Sequence, residues 1–256
     1  MTFNVAADAY DAFMGRYSRL LVGQMADLAG VHAGDRVLDV GCGPGALTTE
    51  LVRRVGADHV AAVDPSASFV AAVRERLPGV EVRQGGAESL PFDAAAFDAA
   101  IAQLVVHFMS DPVQGIGEMR RVTRPGGVVA ACVWDHAGGH GPVSAFWAAA
   151  ATLDPHAANE SQLPGAHAGH LTELFAAAGL HDVIETTVSA PLTHDSFEAW
   201  WAPYEAGVGP AGAHVKSLSP EGRVELRERC REMLPAAPFT DNALAWAATG
   251  RVASIP

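Results

Sequence analysis

One short stretch, residues 37–48, constrains the fold of this chain more than any other. Val37–Val40 is an apolar, β-branched run that predicts a buried strand, and residues 46–55 have the composition of a helix. Three glycines fall within five residues between them: Gly41, Gly43 and Gly45. Glycine permits positive φ and lets a ligand approach the backbone closely. The stretch therefore predicts a strand, a tight turn and a helix N-terminus whose free N–H groups favour a carboxylate or a phosphate.

Two kinds of ligand fit this turn. Residues 41–46 match the loose dinucleotide fingerprint G-x-G-x-x-A, which is a weak indication when it stands alone. Asp39 lies inside the strand, where a carboxylate is costly to bury unless a cationic or hydrogen-bonding partner meets it. The amino-acid end of S-adenosylmethionine offers an ammonium as well as a carboxylate, which suits both features.

At this point the sequence resembles the class I S-adenosylmethionine-dependent methyltransferases, in particular the type 11 small-molecule group related to ubiquinone and menaquinone C-methyltransferases. Residues 37–45 match that family's first motif, and the Arg-Pro-Gly-Gly turn at 124–127 also lies where the family has one. The resemblance implies S-adenosyl-L-methionine as cofactor, S-adenosyl-L-homocysteine as product, no metal, and methyl transfer to a small-molecule acceptor. It also implies an α/β fold, a Rossmann-like, mostly parallel seven-stranded sheet with helices on both faces and a helical cap inserted near the C-terminus.

The pattern along the chain predicts four segments. Residues 1–30 carry apolar and aromatic side chains at helical spacing and form an N-terminal helical lid, and residues 31–195 form the cofactor-binding core. Residues 196–238 are a helical cap insertion, and residues 239–256 supply the last core strand. Residues 135–169 are rich in Gly, His, Ala and Pro and lack periodicity, which predicts a long loop near the substrate mouth.

Charge and cysteine content narrow the range of partners. Lys+Arg number 17 and Asp+Glu number 29, so the formal net charge is −12, which disfavours nucleic acid and anionic membrane surfaces. No apolar run reaches the roughly 20 residues that a membrane span needs, and we expect a cytoplasmic monomer or homodimer without membrane insertion. The three cysteines are expected to be reduced thiols. Two interpretations of Cys42 stay open: a thiol whose pKa the helix N-terminus lowers, or a small residue that fits the turn.

A second predicted strand, residues 59–64, ends in an acid. Asp64 comes roughly 20 residues after the glycine turn, where an α/β nucleotide fold places a carboxylate that accepts two ribose hydroxyls. Asp64 is also a candidate N-cap for the helix that follows, and Ser66 is a second candidate for that role. We predict that Asp64, Pro65 and Ser66 contact the cofactor.

A third predicted strand, residues 80–84, leads into the sequence Gly-Gly-Ala-Glu at 85–88. The resembling family usually has an acidic residue where Gly86 stands, in contact with the adenine amino group. This chain departs from that pattern. Adenine recognition is therefore expected to rest on the backbone of Ala87 and on Glu88.

The fourth predicted strand, residues 97–103, brings further polar groups to the site. Ligands in open α/β sheets lie outside the carboxyl ends of the strands, so Gln103, Leu104 and His107 are aimed at the ligand. His107 is the titratable group there with an ordinary pKa near neutral pH. Two roles stay open for it: a general base on a substrate hydroxyl or acidic carbon, or a residue that lines the pocket and forms a hydrogen bond.

The resemblance also places the segment 10–18 over the cofactor pocket. It implies that Tyr10 and Tyr17 bond the methionine carboxylate and that Arg16 or Arg19 neutralises it. The complete set of predicted cofactor contacts is Tyr10, Tyr17, Arg19, Asp39, Gly41, Cys42, Gly43, Gly45, Asp64, Pro65, Ser66, Ala87, Glu88, Gln103, Leu104 and His107.

Two alternative functions stay open on the sequence: an NAD(P)-dependent oxidoreductase and a non-catalytic S-adenosylmethionine-binding module. Asp39 inside the strand argues against the first, whereas the motifs do not exclude the second because they serve binding rather than turnover. The aromatic-rich cap has no charge cluster, which agrees with an apolar small substrate, although packing in an aromatic core explains Trp200 and Trp201 equally well. His136 and His140 have a spacing that metals use in helices, but the two glycines between them argue against a helix and so against zinc.

Overall fold

A single mixed sheet forms the centre of the protein. The computed structural model describes residues 7–154, 157 and 160–254, with side chains from residue 11 onward. The strands are β1 (Val37–Val40), β2 (Val60–Asp64), β3 (Glu81–Gln84), β4 (Phe97–Gln103), β5 (Thr123–Trp134), β6 (His181–His194) and β7 (Phe239–Arg251). They lie in the order β3-β2-β1-β4-β5-β7-β6. The predicted mostly parallel seven-stranded sheet is confirmed.

Helices pack on both faces of this sheet. The α-helices of the described residues are α1 (Ala7–Leu28), α2 (Ala46–Val55), α3 (Ala67–Arg76), α4 (Pro112–Val122), α5 (Ser144–Leu153), α6 (His170–Ala177), α7 (Phe197–Glu205), α8 (Gly209–Ser217) and α9 (Pro220–Met233). Val37 and Leu38, which are neighbours in β1, belong to different apolar clusters because successive strand side chains point to opposite faces. None of the helices in the described part of the chain combines the length and apolarity that a bilayer span requires.

The strand order fixes where a ligand can bind. Strand β1 pairs in parallel with β2 on one side and with β4 on the other. The chain therefore leaves β1 towards one edge of the sheet and returns to build the other half from β4. The carboxyl ends of β1 and β4 form the topological switch point, the usual ligand site of open α/β sheets. Strand β7 lies antiparallel between β5 and β6.

Two stretches differ from the prediction. Helix α5 lies within residues 135–169, where a loop was predicted. Its sequence is apolar on all sides and has no polar stripe, so periodicity gave no signal for a helix that is covered by the cap. The Arg-Pro-Gly-Gly segment at 124–127 lies inside β5 instead of forming a turn before it, and Gly126 takes a φ of +77° there.

An aromatic cluster joins the C-terminal helices to the rest of the protein. Its buried rings are Phe146, Trp147, Phe197, Trp200, Trp201 and Tyr204. Phe13 of α1 meets Tyr204 edge-on, with 5.2 Å between ring centroids, so the N-terminal helix and the C-terminal helices pack against each other. These aromatic residues mainly form a core of their own.

Tyr17 connects α1 to the last two strands. Its hydroxyl donates to Asp241 Oδ2 at 2.9 Å and lies 3.0 Å from His194 Nε2. The side chain is 2% exposed, and burial next to Asp241 raises the pKa of Tyr17 far above its usual range. This corrects the prediction from the family resemblance that Tyr17 bonds the cofactor carboxylate, because the hydroxyl has its partners on β6 and β7.

We therefore expect Tyr17→Phe to destabilise the protein by about 2 kcal/mol, because it leaves buried polar partners on Asp241 and His194 unsatisfied. Urea unfolding at pH 7 measures this effect. Tyr204→Phe is the matched control, because the buried Tyr204 hydroxyl has no hydrogen-bond partner among the described residues. Removing that hydroxyl should leave stability unchanged or raise it. Equal losses in the two variants would contradict the tethering role of Tyr17.

Candidate functional site

The turn between β1 and α2 is built on glycines in left-handed conformations. Gly41, Gly43 and Gly45 have φ values of +70°, +53° and +94°. The N–H groups of Gly41 and Cys42 both donate to the carbonyl of Val63, at 2.8 and 3.0 Å, which holds the turn against β2. Helix α2 begins directly after Gly45. The local geometry is the strand, turn and helix N-terminus that the sequence predicts.

Gly41 has a second requirement besides its φ. A Cβ at Gly41 would lie 2.5 and 2.7 Å from the two Cγ atoms of Val105, whereas a Cβ at Gly43 would meet nothing within 4 Å. We expect Gly41→Ala to cost about 2 kcal/mol or more and Gly43→Ala about 1 kcal/mol, the strain of the left-handed conformation alone.

Urea unfolding of both alanine variants, each measured with and without Val105→Ala, separates the backbone strain from the steric clash with Val105. In the Val105→Ala background the cost of Gly41→Ala should fall to that of Gly43→Ala. A cost of Gly41→Ala that is the same in both backgrounds would show that the contact with Val105 is unimportant.

Asp39 is a buried carboxylate at the base of the turn. It is 1% exposed, and Thr48 donates to it from the backbone and from its hydroxyl, with 2.6 Å between Thr48 Oγ1 and Asp39 Oδ2. Burial raises the pKa of Asp39 to about 7, and the nearby charge of Asp64 acts in the same direction. Thr48 was missed in the sequence, although its place in the first turn of α2 puts it directly over the end of β1.

A polar cavity opens beside Asp39. The residues that line it come from α1, from the glycine turn and from β4: Asp11, Gly15, Ser18, Asp39, Gly41, Cys42, Gly43, Pro44, Ala46, Leu47 and Gln103. These described residues include two carboxylates and no Lys, Arg or His. Asp11 forms ion pairs with Arg19 and Arg76, so among the described lining residues Asp39 is the carboxylate without a cationic partner.

Gln103 lies at the end of β4, as predicted, and connects helix α1 to the sheet beside this cavity. Its Nε2 group donates to the Ser18 carbonyl at 3.0 Å and to Ser18 Oγ at 2.8 Å. Gln103 Oε1 is buried and has no hydrogen-bond partner among the described residues. A buried amide oxygen without a partner is costly, so this atom is suited to accept from a bound group.

The predicted lid contacts need correction. The Tyr10 side chain lies outside the described residues. Arg19 forms an ion pair with Asp11 at 3.2 Å, and its side chain is 51% exposed. Neither Arg19 nor Arg16 lines the polar cavity, so the predicted neutralising cation is not among the described residues that line it. The charged residue of α1 that lines the cavity is instead Asp11, which is also paired with Arg76 at 3.6 Å.

Asp64 lies at the end of β2 and holds the glycine turn. Its Oδ2 atom accepts from the N–H of Gly43 at 2.9 Å, and its Oδ1 atom accepts from the N–H of Ser66 at 2.8 Å. Ser66 is the N-cap of α3, but its hydroxyl pairs with Ser68 Oγ instead of capping the helix. The carbonyl of Pro65 accepts from Gln84. Burial raises the pKa of Asp64.

Glu88 lies beside the glycine that replaces the family's acidic residue. A Cβ on Gly86 would lie 3.3 Å from Glu88 Oε2. The other oxygen, Oε1, accepts from the N–H of Ser110 at 2.7 Å. Ala87 is buried in the apolar core. The Glu88 carboxylate thus stands next to position 86, and a role for Glu88 and Ala87 in reading adenine stays a prediction.

Cys42 has no activated thiol. Burial raises its pKa well above the usual range, and the charges of Asp39 and Asp64 raise it further. The interpretation as a helix-activated thiol was wrong, because burial and two acids outweigh the helix N-terminus. Cys42 lines the polar cavity as a small buried residue.

A second, mainly apolar cavity begins one residue after Gln103. Leu104 has a φ of +62°, an uncommon conformation for a residue with a side chain, and it turns the chain away from β4. Leu104 and His107 line this cavity together with residues of α1, the end of β5 and the start of α8. Gln103 and Leu104 therefore face different cavities, one polar and one apolar, on the two sides of one peptide.

His107 does not titrate near neutral pH in this structure. It is 6% exposed, and burial lowers its pKa to about 3, with His136 acting in the same direction. It is therefore neutral at pH 7. The sequence reasoning missed His136 and Glu160, which line the same cavity from the 135–169 excursion. Their residue types gave no signal, since only the fold brings them next to His107.

Comparison with known proteins agrees with this site. Residues 38–131 match the family model described as methyltransferase domain. A malonyl-[acyl-carrier protein] O-methyltransferase of Erwinia billingiae is 35% identical over 127 residues, which are 50% of this chain and 49% of that protein. An uncharacterized methyltransferase of Mycobacterium bovis is 44% identical over 95 residues, 37% of this chain and 38% of that protein. The chain spans half or less of the length of these curated relatives.

Solved structures share the fold over most of the chain. The YcgJ protein of Bacillus subtilis superposes with a TM-score of 0.60 at 22% identity and covers 91% of this chain and 98% of its own. The [4+2]-cyclase SpnF superposes with a TM-score of 0.56 at 23% identity, covering 92% and 81%. At these identities the likeness concerns the fold alone.

The fold, the glycine turn with Asp39 and the matched domain together define the class. The chain carries a class I S-adenosylmethionine-dependent methyltransferase domain, which confirms the resemblance at the level of the class. The assignment to the ubiquinone and menaquinone group stays a prediction.

Proposed function

We propose that the protein transfers the methyl group of S-adenosylmethionine to a small-molecule acceptor. The observation that carries this proposal is the acidic, glycine-edged cavity at the β1–α2 turn, next to an apolar cavity on the other side of Leu104. One cavity suits a cationic, polar cofactor and the other an apolar acceptor. The matched methyltransferase domain supports the same conclusion.

The residues of the polar cavity fit this cofactor. The buried Asp39 is bonded by Thr48 but has no cationic partner among the described residues of the cavity, and the ammonium of the methionine end supplies one. The unpartnered Gln103 Oε1 offers a further acceptor at the same cavity. Asp64 retains free lone pairs for the ribose hydroxyls, and Glu88 is the candidate for the adenine amino group.

When bound, S-adenosylmethionine supplies an already activated methyl group on a sulfonium, so little covalent chemistry is left to the protein. The chain's own residues bind, orient and exclude water. Helix α1 covers the polar cavity, and the two hydrogen bonds from Gln103 to Ser18 keep it there. Phe13 and Met14 of the same helix line the apolar cavity, so one helix shields both ligands from solvent.

The alternative of an NAD(P)-dependent oxidoreductase is not favoured. A pyrophosphate at the glycine turn would face the buried side chain of Asp39, which has no cationic partner among the described residues that line the cavity. A non-catalytic S-adenosylmethionine-binding module would not account for the apolar cavity beside the polar one. The net charge of −12 supports a small molecule over nucleic acid as acceptor.

Two measurements test the proposal. Calorimetric titration with S-adenosylhomocysteine and with NAD should give binding of the first and none of the second. Incubation with methyl-labelled S-adenosylmethionine and a metabolite extract should then place label in a small extractable compound, and Asp39→Asn should abolish most of that transfer. Binding of NAD without binding of S-adenosylhomocysteine would overturn the proposal, and binding without any transfer would favour the non-catalytic module.

A further inference from the structure

The apolar cavity contains a small polar group of side chains that the cofactor does not use. Most of its wall is apolar, with Phe13, Leu104 and Val208 among the contributors, and its ionisable side chains are His107, His136 and Glu160. No Lys or Arg is among the described residues that line it. A carboxylate or phosphate on the acceptor would therefore lack a counter-charge.

The two imidazoles each have a buried nitrogen without a partner. His107 Nδ1 and His136 Nε2 have no hydrogen-bond partner among the described residues. The two rings meet edge to face, with 6.0 Å between their centroids and an interplanar angle of 67°. Buried polar atoms are rarely left unsatisfied, so two at one cavity point to a ligand atom that meets both.

Glu160 sets the tautomer of His136. Its Oε2 atom accepts from Trp147 Nε1 at 3.0 Å and lies 3.9 Å from His136 Nδ1. The second distance is too long for a hydrogen bond but short enough for the carboxylate to favour the form with a proton on Nδ1. His136 Nε2 then carries the lone pair, in a side chain that is among those lining the cavity.

We propose that this cavity binds a mainly apolar, uncharged molecule through one hydroxyl group, which donates to His136 Nε2 and accepts from His107 Nδ1, with Glu160 as a positioning residue. That the bound molecule is the methyl acceptor rests on the proposed function. The hydroxyl recognition itself does not, since it concerns these three side chains alone. Burial lowers the pKa of His136 to about 4, so both imidazoles are neutral at pH 7 and able to form this pair of hydrogen bonds.

The test compares 2-naphthol with naphthalene, which has the same rings without the hydroxyl, by calorimetric titration in the absence of cofactor. The wild-type protein should bind 2-naphthol about tenfold more tightly, the worth of satisfying buried hydrogen-bond groups. His136→Phe should reduce this ratio to about one and leave the affinity for naphthalene unchanged. His167→Phe, an exposed position in the same excursion, is the matched control and should keep the tenfold ratio.

Glu160 variants provide a second test that leaves the ring packing intact. Glu160→Ala and Glu160→Gln should both lower the ratio, because each removes the charge that favours the proton on His136 Nδ1. A wild-type ratio near one, absence of binding by both probes, or a tenfold ratio that survives His136→Phe would overturn the inference. S-adenosylhomocysteine is titrated in a separate experiment. Failure of the cofactor proposal is therefore distinguishable from a change in the ratio of 2-naphthol affinity to naphthalene affinity.

Discussion

Replacing Asp39 by asparagine should stabilise the ligand-free protein and weaken cofactor binding by about 100-fold. The two effects have one cause. In the free protein the Asp39 carboxylate is buried with hydrogen bonds from Thr48 and with the charge of Asp64 nearby. Asparagine keeps an oxygen that accepts from Thr48 and removes the charge. The bound ammonium then loses a charge-assisted partner, which is worth about 2–3 kcal/mol in a buried site.

The gain in stability depends on pH. Burial raises the pKa of Asp39 to about 7 in the folded protein, against about 3.9 in an unfolded chain. The unfolded chain therefore releases this proton first, and the wild-type protein loses stability as the pH rises from about 4 to about 7. Above that range the difference between the Asp39→Asn protein and the wild type reaches at most about 4 kcal/mol, and below pH 4 it disappears.

Urea unfolding between pH 4 and pH 9 measures the stability difference, and calorimetry with S-adenosylhomocysteine at pH 8 measures the affinity. Asp58→Asn is the control, because it removes an exposed acid near the same strands and should change neither quantity. A variant that is less stable than the wild type at pH 8, or that binds S-adenosylhomocysteine with unchanged affinity, would show that Asp39 already has its partner within the protein.

The parts of the site that the sequence predicted are those encoded by neighbouring residues. The glycine turn depends on backbone conformations that glycine adopts readily, and the sequence predicted Asp39 from its place inside β1 and Asp64 from its place at the end of β2. The sheet was predictable for the same reason, since its short parallel strands are apolar runs bounded by turns. Each of these features needs only local information.

The Tyr17 contact was assigned wrongly because the resemblance gave the position of helix α1 but not its rotation about its own axis. Asp11, Gly15 and Ser18 line the polar cavity, and their spacing of four and three residues is that of one helix face. Tyr17 is one residue from Ser18 and therefore points about 100° away, towards β6 and β7. A shift of one position changed the assigned contact from the cofactor to the core.

The second half of the site depends on tertiary structure alone. His136 and Glu160 are 24 residues apart in the sequence, and helix α5 lies between them in a stretch with no polar periodicity. Nothing in the local pattern indicates that both meet His107. The low pKa of His107 has the same origin, because the burial that causes it comes from the packing of the cap and the lid.

Replacing Asp64 by asparagine should weaken binding of S-adenosylhomocysteine by about 100-fold, for two separable reasons. Asparagine has one acceptor oxygen, whereas Asp64 accepts from both Gly43 and Ser66. Its amide N–H group must then face one of these donors, which loosens the glycine turn. The ribose hydroxyls also lose a charged acceptor, which is worth about 1.5–3 kcal/mol.

Adenosine and 2′-deoxyadenosine separate the two contributions. Loosening of the turn weakens both nucleosides equally, but the ribose contact concerns only the nucleoside with both hydroxyls. Wild-type protein should therefore prefer adenosine by about tenfold, and the Asp64→Asn variant should bind the two nucleosides about equally. An affinity ratio of adenosine to 2′-deoxyadenosine near one in the wild type, or near ten in the variant, would show that Asp64 does not bind the ribose. Asp64 would then serve only to hold Gly43.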